Sequence, residues 1–167
     1  MRDNPVVKPD KKKSMILVSA CLAGFKCKYN GESNTDERIV ELVKKGEAIP
    51  VCPEQLGGLP TPRVPSEIIS EKVISKNGDD VTEQFNRGAA ITLEIAKLYN
   101  CTEAIFKSRS PSCGSGKIYD GTFSGTLING DGITAKLLKE NGIKVRTEEE
   151  TKNNLYLVKK KLVFDTV

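Results

Sequence analysis

The sequence predicts an α/β fold: a single three-layer domain around a largely parallel, Rossmann-like sheet, with catalytic loops at the carboxyl ends of the strands. Three observations predict this class. Short apolar runs of strand length alternate with longer stretches of helical periodicity. Loops rich in Gly and Pro follow several predicted strands, where open α/β sheets bind their ligands. The length of 167 residues fits one domain with a sizeable hydrophobic core.

The first half of the chain contains three predicted strands and two predicted helices. The run 15–19 is apolar and ends in a small residue, as in a buried parallel strand. Gly46 is placed to end the first helix, and Asp79 or Asp80 to cap the second. Residues 53–65 are dense in Gly and Pro, which predicts irregular structure. In chain order we predict a strand over 15–19, a helix over 36–45, strands over 48–51 and 68–75, and a helix over 80–99.

The second half continues the same alternation. Residues 121–132 are rich in glycine and predict a mobile loop, and Gly142 is placed to end a helix. Because Met15 opens a credible strand, residues 1–14 are interpreted as a disordered leader or tag, and the domain is expected to cover 15–167. The predicted elements are a strand over 103–107, a loop over 108–116, a helix over 133–141, a strand over 143–146 and a terminal helix from Thr147 onward.

The absence of certain residue types limits the catalytic mechanisms and binding partners that this chain can have. With no histidine in the chain, histidine triads and histidine zinc sites are excluded, and acid–base work falls to other side chains or to water. Aromatic residues make up 5%, with no Trp, and the net charge of +4 is mild, so nucleic-acid binding has little support. No apolar run approaches the roughly 18 to 20 residues of a membrane span. No signal-peptide core follows the amino terminus, so a cytoplasmic location is predicted.

Five cysteines, an odd number in a chain predicted to be cytoplasmic, favour metal or catalytic thiols over a disulfide framework. Cys21, Cys52 and Cys113 each follow a predicted strand. Since the carboxyl ends of parallel strands meet at one edge of a sheet, we expect these three residues to converge there. Cys101 lies between a helix and a strand and is predicted to be structural. Cys27 is either a redox or spare thiol near the site or a small buried side chain.

Three thiolates without histidine suit a soft metal centre. Iron–sulfur clusters usually have four cysteine ligands, so three would leave one iron open to substrate. Zinc is also chemically allowed, although the long separations lack the paired spacing of zinc ribbons. Cations in the same loops would favour thiolates, namely Lys26, Arg63, Lys107 and Arg109.

Three segments around these cysteines resemble loops of the thiouracil desulfurase (TudS-like) family, formerly a domain of unknown function. They read SACLAGFKCKYNG, VCPEQLGGLPTPR and KSRSPSCG, in that order. Together they span Ser19 to Gly114, and the α/β pattern continues to about Arg146. Three such segments in order are far more specific than a single cysteine motif. One departure is Asn30, where many relatives carry aspartate.

The resemblance implies a non-redox enzyme that desulfurates a thiolated pyrimidine, thiouracil or a 4-thiouridine-type base or nucleotide, and releases sulfide. It implies a 4Fe-4S cluster held by Cys21, Cys52 and Cys113, with the remaining iron taking the substrate sulfur. By motif position, Glu54 and Ser110 are the catalytic residues. We expect Glu54 to activate the attacking water and Ser110 to orient the base. The plainer alternatives are a carboxylate that accepts amide bonds in its turn and a serine that shapes its turn.

Two other functions stay open from the sequence alone. One is a metal-free sulfur carrier with a persulfide on Cys52 or Cys113, and the other is a non-enzymatic redox module that holds a cluster. The expected partner is a small thiopyrimidine base or nucleotide. Thiolated tRNA is an alternative that the composition does not support, and no membrane partner is expected. Lys107 and Arg109 either bind a phosphate, stabilise charge on the cluster, or are solvated surface residues.

Overall fold

Strands and helices alternate along the chain, which confirms the predicted α/β class. The computed structural model describes residues 14–152, so the leader predicted before Met15, apart from Ser14, and the chain from 153 to 167 lie outside the described part. Its strands are β1 Ile16–Ser19, β2 Ala48–Val51, β3 Ser66–Ile69, β4 Lys72–Ser75, β5 Glu103–Phe106, β6 Lys117–Tyr119, β7 Leu127–Asn129 and β8 Lys144–Thr147. Its helices are α1 Glu37–Lys44, α2 Pro53–Leu56, α3 Thr82–Leu98, α4 Ile133–Glu140 and α5 Glu148–Thr151, with a 3-10 turn over Ala20–Ala23. None of these described helices combines the length and apolar character that a membrane span requires.

The central sheet has four parallel strands in the order β2-β1-β5-β8. β1 lies inside the sheet, with β2 on one side and β5 on the other. The chain first winds toward β2 and then crosses back over β1 to reach β5, so the direction of winding reverses between β1 and β5. In doubly wound sheets, the crevice at the carboxyl ends of the strands beside such a reversal is the usual ligand site.

Helices cover both faces of this sheet, which gives three layers. On one face, α1 buries Ile39 and Leu42 against Ile16 and Val18 of β1. On the other face, α3 and α4 pack on β5, and Leu138 and Phe106 lie in the same fully buried cluster. Strands β1, β2 and β5 therefore have apolar side chains on both faces, as expected for a parallel sheet that helices cover, whereas the edge strand β8 contributes only Val145 to the core.

Three predicted stretches differ from the structure. Residues 53–65 do not remain irregular throughout, because Pro53 begins the short helix α2. Residues 68–75 are not one strand but part of the β3–β4 hairpin, whose turn residues Ser70 and Glu71 have φ of 45° and 68°. The glycine-rich 121–132 stretch contains β7, which pairs with β6 in a second hairpin.

Other expectations hold to within a few residues. The long helix predicted over 80–99 begins at Thr82, and the Asp80 carboxylate accepts a hydrogen bond from its amide at 3.0 Å. The predicted terminal helix begins at Glu148 after a capping box at Thr147, and its continuation beyond Lys152 lies outside the described residues. Ser14, assigned to the leader, donates a hydrogen bond to the carbonyl of Asn100.

Helices α2 and α3 meet backbone to backbone through two glycines. A Cβ at Gly57 would lie 1.9 Å from the Gln84 carbonyl oxygen, and a Cβ at Gly88 would lie 1.9 Å from that of Pro53. No side chain fits at either distance, so only glycine permits this approach. The contact fixes α2 against the long helix, and with it the residues at the start of α2.

We expect Gly88→Ala to destabilise the protein by about 3 kcal/mol, because the added methyl group must push α2 away from α3. Ala90→Ser on the exposed face of the same helix is the matched control and should change stability by less than about 0.5 kcal/mol. Urea unfolding of both variants measures the difference. Equal stabilities would show that the two helices separate without cost.

Candidate active site

A cavity of about 500 Å³ lies at the carboxyl end of the central sheet. Its wall includes the last residues of β1 and β2, Ser19 and Val51, and Lys107 directly after β5. Four of the five cysteines line it, and these are Cys21, Cys27, Cys52 and Cys113. The convergence expected for Cys21, Cys52 and Cys113 is therefore observed. Cys101 is absent from the wall and is buried in the core cluster, where burial raises its pKa to about 11.

Cys21 lies on the 3-10 turn that follows β1 directly. Burial raises the pKa of its thiol, while a hydrogen bond with the Asn34 side chain and the positive charge of Lys107 act in the opposite direction. The turn ends at Gly24, whose φ of 93° favours glycine. Asn34 joins the cavity wall from a later part of the loop, a role that could not be predicted because this residue lies thirteen positions beyond the cysteine.

Cys113 is held by a turn that Ser110 organises. The Ser110 hydroxyl oxygen accepts hydrogen bonds from the amides of Ser112 at 3.1 Å and Cys113 at 3.0 Å. The amides at the start of α4 donate to the same loop, Ile133 to the Pro111 carbonyl and Thr134 to the Ser112 carbonyl. Burial raises the pKa of the Cys113 thiol, although its side chain still reaches the cavity wall. Ser110 thus shapes its turn and also lines the cavity.

Cys52 and Cys27 form a pair of adjoining thiols. Cys52 caps α2 at the end of β2, and its Sγ donates a hydrogen bond to the Cys27 carbonyl oxygen at 3.8 Å. Hydrogen bonding between the two side chains lowers the pKa of Cys52 to about 7 and raises that of Cys27. Cys27 is buried, with 4% of its surface exposed, whereas Cys52 is partly exposed to the cavity.

Glu54 faces the same cavity and is ion-paired to Arg63. The Arg63 Nε donates to Glu54 Oε2 at 2.5 Å, and the two side chains are only 7% and 16% exposed. Other guanidinium nitrogens donate to the carbonyls of Pro60 and Cys27 and to the Thr61 hydroxyl. Arg63 therefore holds the Glu54 carboxylate, the Cys27 loop and its own loop together, a role that the sequence did not indicate beyond its charge.

Lys107 is anchored at the cavity edge by a carboxylate from the last described helix. Its Nζ lies 2.5 Å from Glu148 Oε1 and donates to the Ser108 hydroxyl at 2.8 Å. Glu148 is buried and also accepts from the Ser108 amide at 2.7 Å. Lys107 is thus not simply a solvated charge. Arg109, by contrast, is 44% exposed and pairs with Glu149 at the surface.

The outer wall of the cavity comes from the two hairpins. Glu67 of β3 is buried, and its Oε2 accepts hydrogen bonds from the amides of Gly121 at 2.9 Å and Phe123 at 3.0 Å. This carboxylate therefore binds the loop between β6 and β7 to strand β3. Aromatic rings of Tyr29, Tyr119 and Phe123 line the cavity. Sequence reasoning missed Glu67, because only the fold brings β3 beside residues more than fifty positions later.

The donor set suits a centre larger than one ion. Among residues 14–152, no group of three or more Cys, Asp or Glu side chains converges closely enough to enclose a single metal ion. The thiols of Cys21, Cys52 and Cys113 nevertheless face one cavity and interact electrostatically, since Cys21 and Cys52 both raise the pKa of Cys113. Thiols on separate loops around an open space fit an iron–sulfur cluster, whose ligands bind different irons.

Comparison with known proteins agrees with this geometry. The sequence profile of the family described as 2-thiouracil desulfurase matches residues 16–150. The chain belongs to the 2-thiouracil desulfurase family. This confirms the resemblance inferred from the three cysteine loops, and the family match contains every residue of the cavity wall.

Two similar proteins match this chain over nearly all of their own length. A solved structure described as the 4Fe-4S-dependent thiouracil desulfidase TudS is 41% identical, with a TM-score of 0.83, and the match covers 89% of this chain and 99% of that one. The uncharacterized protein YbbK of Bacillus subtilis (strain 168) is 49% identical, over 81% of this chain and 97% of YbbK.

Proposed function

We propose that this protein is a 4Fe-4S-dependent thiopyrimidine desulfurase, which replaces the sulfur of a thiolated pyrimidine with oxygen from water and releases sulfide. The observation that carries the proposal is the convergence of Cys21, Cys52 and Cys113 on one cavity in a chain of the 2-thiouracil desulfurase family. The 41% identical solved relative, named as a 4Fe-4S-dependent thiouracil desulfidase, supports both the cofactor and the reaction. No net electron transfer is needed, because a thiocarbonyl group and water react to give a carbonyl group and hydrogen sulfide.

The proposed cluster ligands are Cys21, Cys52 and Cys113. These three residues would hold the cluster, which would supply Lewis acidity toward the sulfur of the substrate. The hydrogen bond from Cys27 lowers the pKa of Cys52 to about 7, which supports Cys52 as a ligand in its deprotonated form. Burial raises the pKa of the Cys21 and Cys113 thiols, so these two would lose their protons when the metal binds.

Glu54 is the proposed general base. Its carboxylate lies in the cavity two residues after Cys52, where it can take a proton from the water that attacks the ring carbon bearing sulfur. The Arg63 guanidinium holds this carboxylate in one orientation, and one carboxylate oxygen stays available because Arg63 Nε binds Oε2. With no histidine in the chain, a carboxylate is the natural base at this position.

Ser110 is proposed to orient the substrate, because its hydroxyl proton stays available for donation while the oxygen accepts two amides. Lys107, fixed by Glu148, lies where it can offset negative charge that develops on the substrate. The aromatic rings of Tyr29 and Phe123 in the wall supply apolar surface for a flat pyrimidine. These contacts support a small thiopyrimidine base or nucleotide as the substrate.

The cytoplasm remains the proposed location. Its support is that all five cysteines are unpaired, which is typical of proteins from reducing compartments. Thiolated tRNA as a partner gains no support from the mild net charge.

Anaerobic reconstitution of the full chain with iron and sulfide, followed by a desulfuration assay, tests the proposal. We expect iron to bind with charge-transfer absorption, and the loaded protein to consume thiouracil or a thiouridine nucleotide while it releases sulfide. Sulfur transfer by the iron-free protein would instead indicate a persulfide carrier. Stable iron loading without turnover on any thiopyrimidine would indicate a cluster-binding redox module.

A further inference from the structure

Cys27 has no part in the proposed ligand set, yet it lines the cavity beside one of the ligands. Its thiol interacts directly with that of Cys52, while Cys21 pairs with Asn34 and Cys113 with Ser19. Cys27 and Cys52 are therefore the two of the five free cysteines whose thiols hydrogen-bond to each other.

The loop that carries Cys27 is tied to the Cys52 side of the cavity by backbone contacts. The Cys27 carbonyl oxygen accepts from Cys52 Sγ at 3.8 Å and from Arg63 Nη2 at 3.0 Å. The Arg63 amide donates to the Tyr29 carbonyl at 2.7 Å. None of these bonds involves a cofactor, so the two thiols stay next to each other in the protein without a cluster.

We propose that Cys27 and Cys52 form a reversible disulfide in the cluster-free protein, and that this disulfide blocks assembly of the cluster. Cys52 is the thiol that reacts first with an oxidant, because it is partly exposed to the cavity, whereas Cys27 is buried. The second half of the inference rests on the proposed function, since it requires Cys52 to be a cluster ligand. The first half requires only the thiol geometry.

The oxidation is a thiol–disulfide exchange with a small-molecule disulfide. The Cys52 thiolate attacks one sulfur of that disulfide, which breaks its S–S bond and releases one thiolate that takes up the Cys52 proton. The Cys27 sulfur then attacks Cys52 Sγ in the mixed disulfide, and the second small thiol leaves with the Cys27 proton. Two electrons pass from the protein to the small molecule, and a dithiol reverses both steps.

Oxidised glutathione added to the metal-free full chain tests the disulfide itself. Non-reducing peptide mass spectrometry should find the Cys27 and Cys52 peptides linked, with loss of two hydrogens that dithiothreitol restores. Cys27→Ser should stop at a mixed disulfide between Cys52 and glutathione, while Cys101→Ser should form the internal disulfide as wild type does. A wild-type protein that links Cys52 to Cys21 or Cys113 instead, or that only accumulates glutathione adducts, would overturn the inference.

Iron loading of the same wild-type samples separates this inference from the proposed function. Reduced protein should take up iron, whereas the oxidised sample should take up about tenfold less until dithiothreitol is added, because a disulfide sulfur is not a thiolate ligand. A Cys27–Cys52 disulfide that leaves iron uptake unchanged would refute the blocking role. Absence of iron uptake by the reduced protein would count against the proposed function and leave the peptide result standing.

Discussion

Loss of any one of Cys21, Cys52 or Cys113 is expected to abolish stable iron binding. Each Cys→Ala variant should retain less than a tenth of the roughly four irons per chain of the reconstituted wild type, because two remaining thiolates do not hold a 4Fe-4S cluster. Iron and sulfide assays after anaerobic gel filtration measure the effect. The three side chains reach one cavity from loops that follow three different strands, so neither of the other two proposed ligands can take the place of a lost one.

Cys101→Ala is the matched control for this series. Cys101 is as buried as Cys113, at 6% exposure for both, but lies in the core away from the cavity. The variant should keep full iron content and lose no more than about 1 kcal/mol of stability. Cys27→Ala should also keep its iron. If it does not, Cys27 is a fourth protein ligand, and the open iron on which the proposed reaction depends does not exist.

Glu54→Gln is expected to lower the desulfuration rate by about 10² to 10⁴, because an amide cannot take a proton from water. Iron content should stay at the wild-type level, since Glu54 is not a proposed ligand. The change also removes the partner of a guanidinium that is only 7% exposed, so stability should fall by up to about 3 kcal/mol. Rates are therefore compared well below the melting temperature of each variant.

Arg63→Gln separates the proton-transfer role of Glu54 from the ion pair. It breaks the same pair but keeps the carboxylate, so its rate should fall by about tenfold, far less than in Glu54→Gln. Equal losses in the two variants would assign the effect to the pair rather than to the base. Near-normal turnover of the Glu54→Gln enzyme would end the proposal that Glu54 activates water.

Most of the central sheet could be predicted because strands such as Ile16–Ser19 and Glu103–Phe106 are short runs of buried, largely apolar residues. The hairpins could not. The turn at Ser70 and Glu71 has positive φ at both residues without the Gly or Asn that usually announces it, and all of β7 is exposed, so no alternation of polar and apolar residues marks it. In both places the pairing with a neighbouring strand, and not the local sequence preference, defines the strand.

The site shows the same division. The cysteine loops could be recognised in the sequence, because Gly and Pro cluster around thiols in the loops that follow strands. The residues that hold these loops in place could not be recognised in the sequence. Glu148 reaches Lys107 from 41 positions away, and α2 packs closely against α3 at Pro53 because Gly88 has no side chain. Such contacts join residues that are far apart in the chain, so the spacing of residues in the sequence does not predict them.

The placement of the three proposed ligand loops after separate strands has a consequence for the lifetime of the protein. Segments far apart in the chain would be joined through one inorganic group, which acts as a cross-link present only in the folded state. Binding of that kind adds directly to the free energy of unfolding. Iron supply would then govern the abundance of the enzyme as well as its turnover, because chains that lose the cross-link are the ones most readily unfolded and degraded.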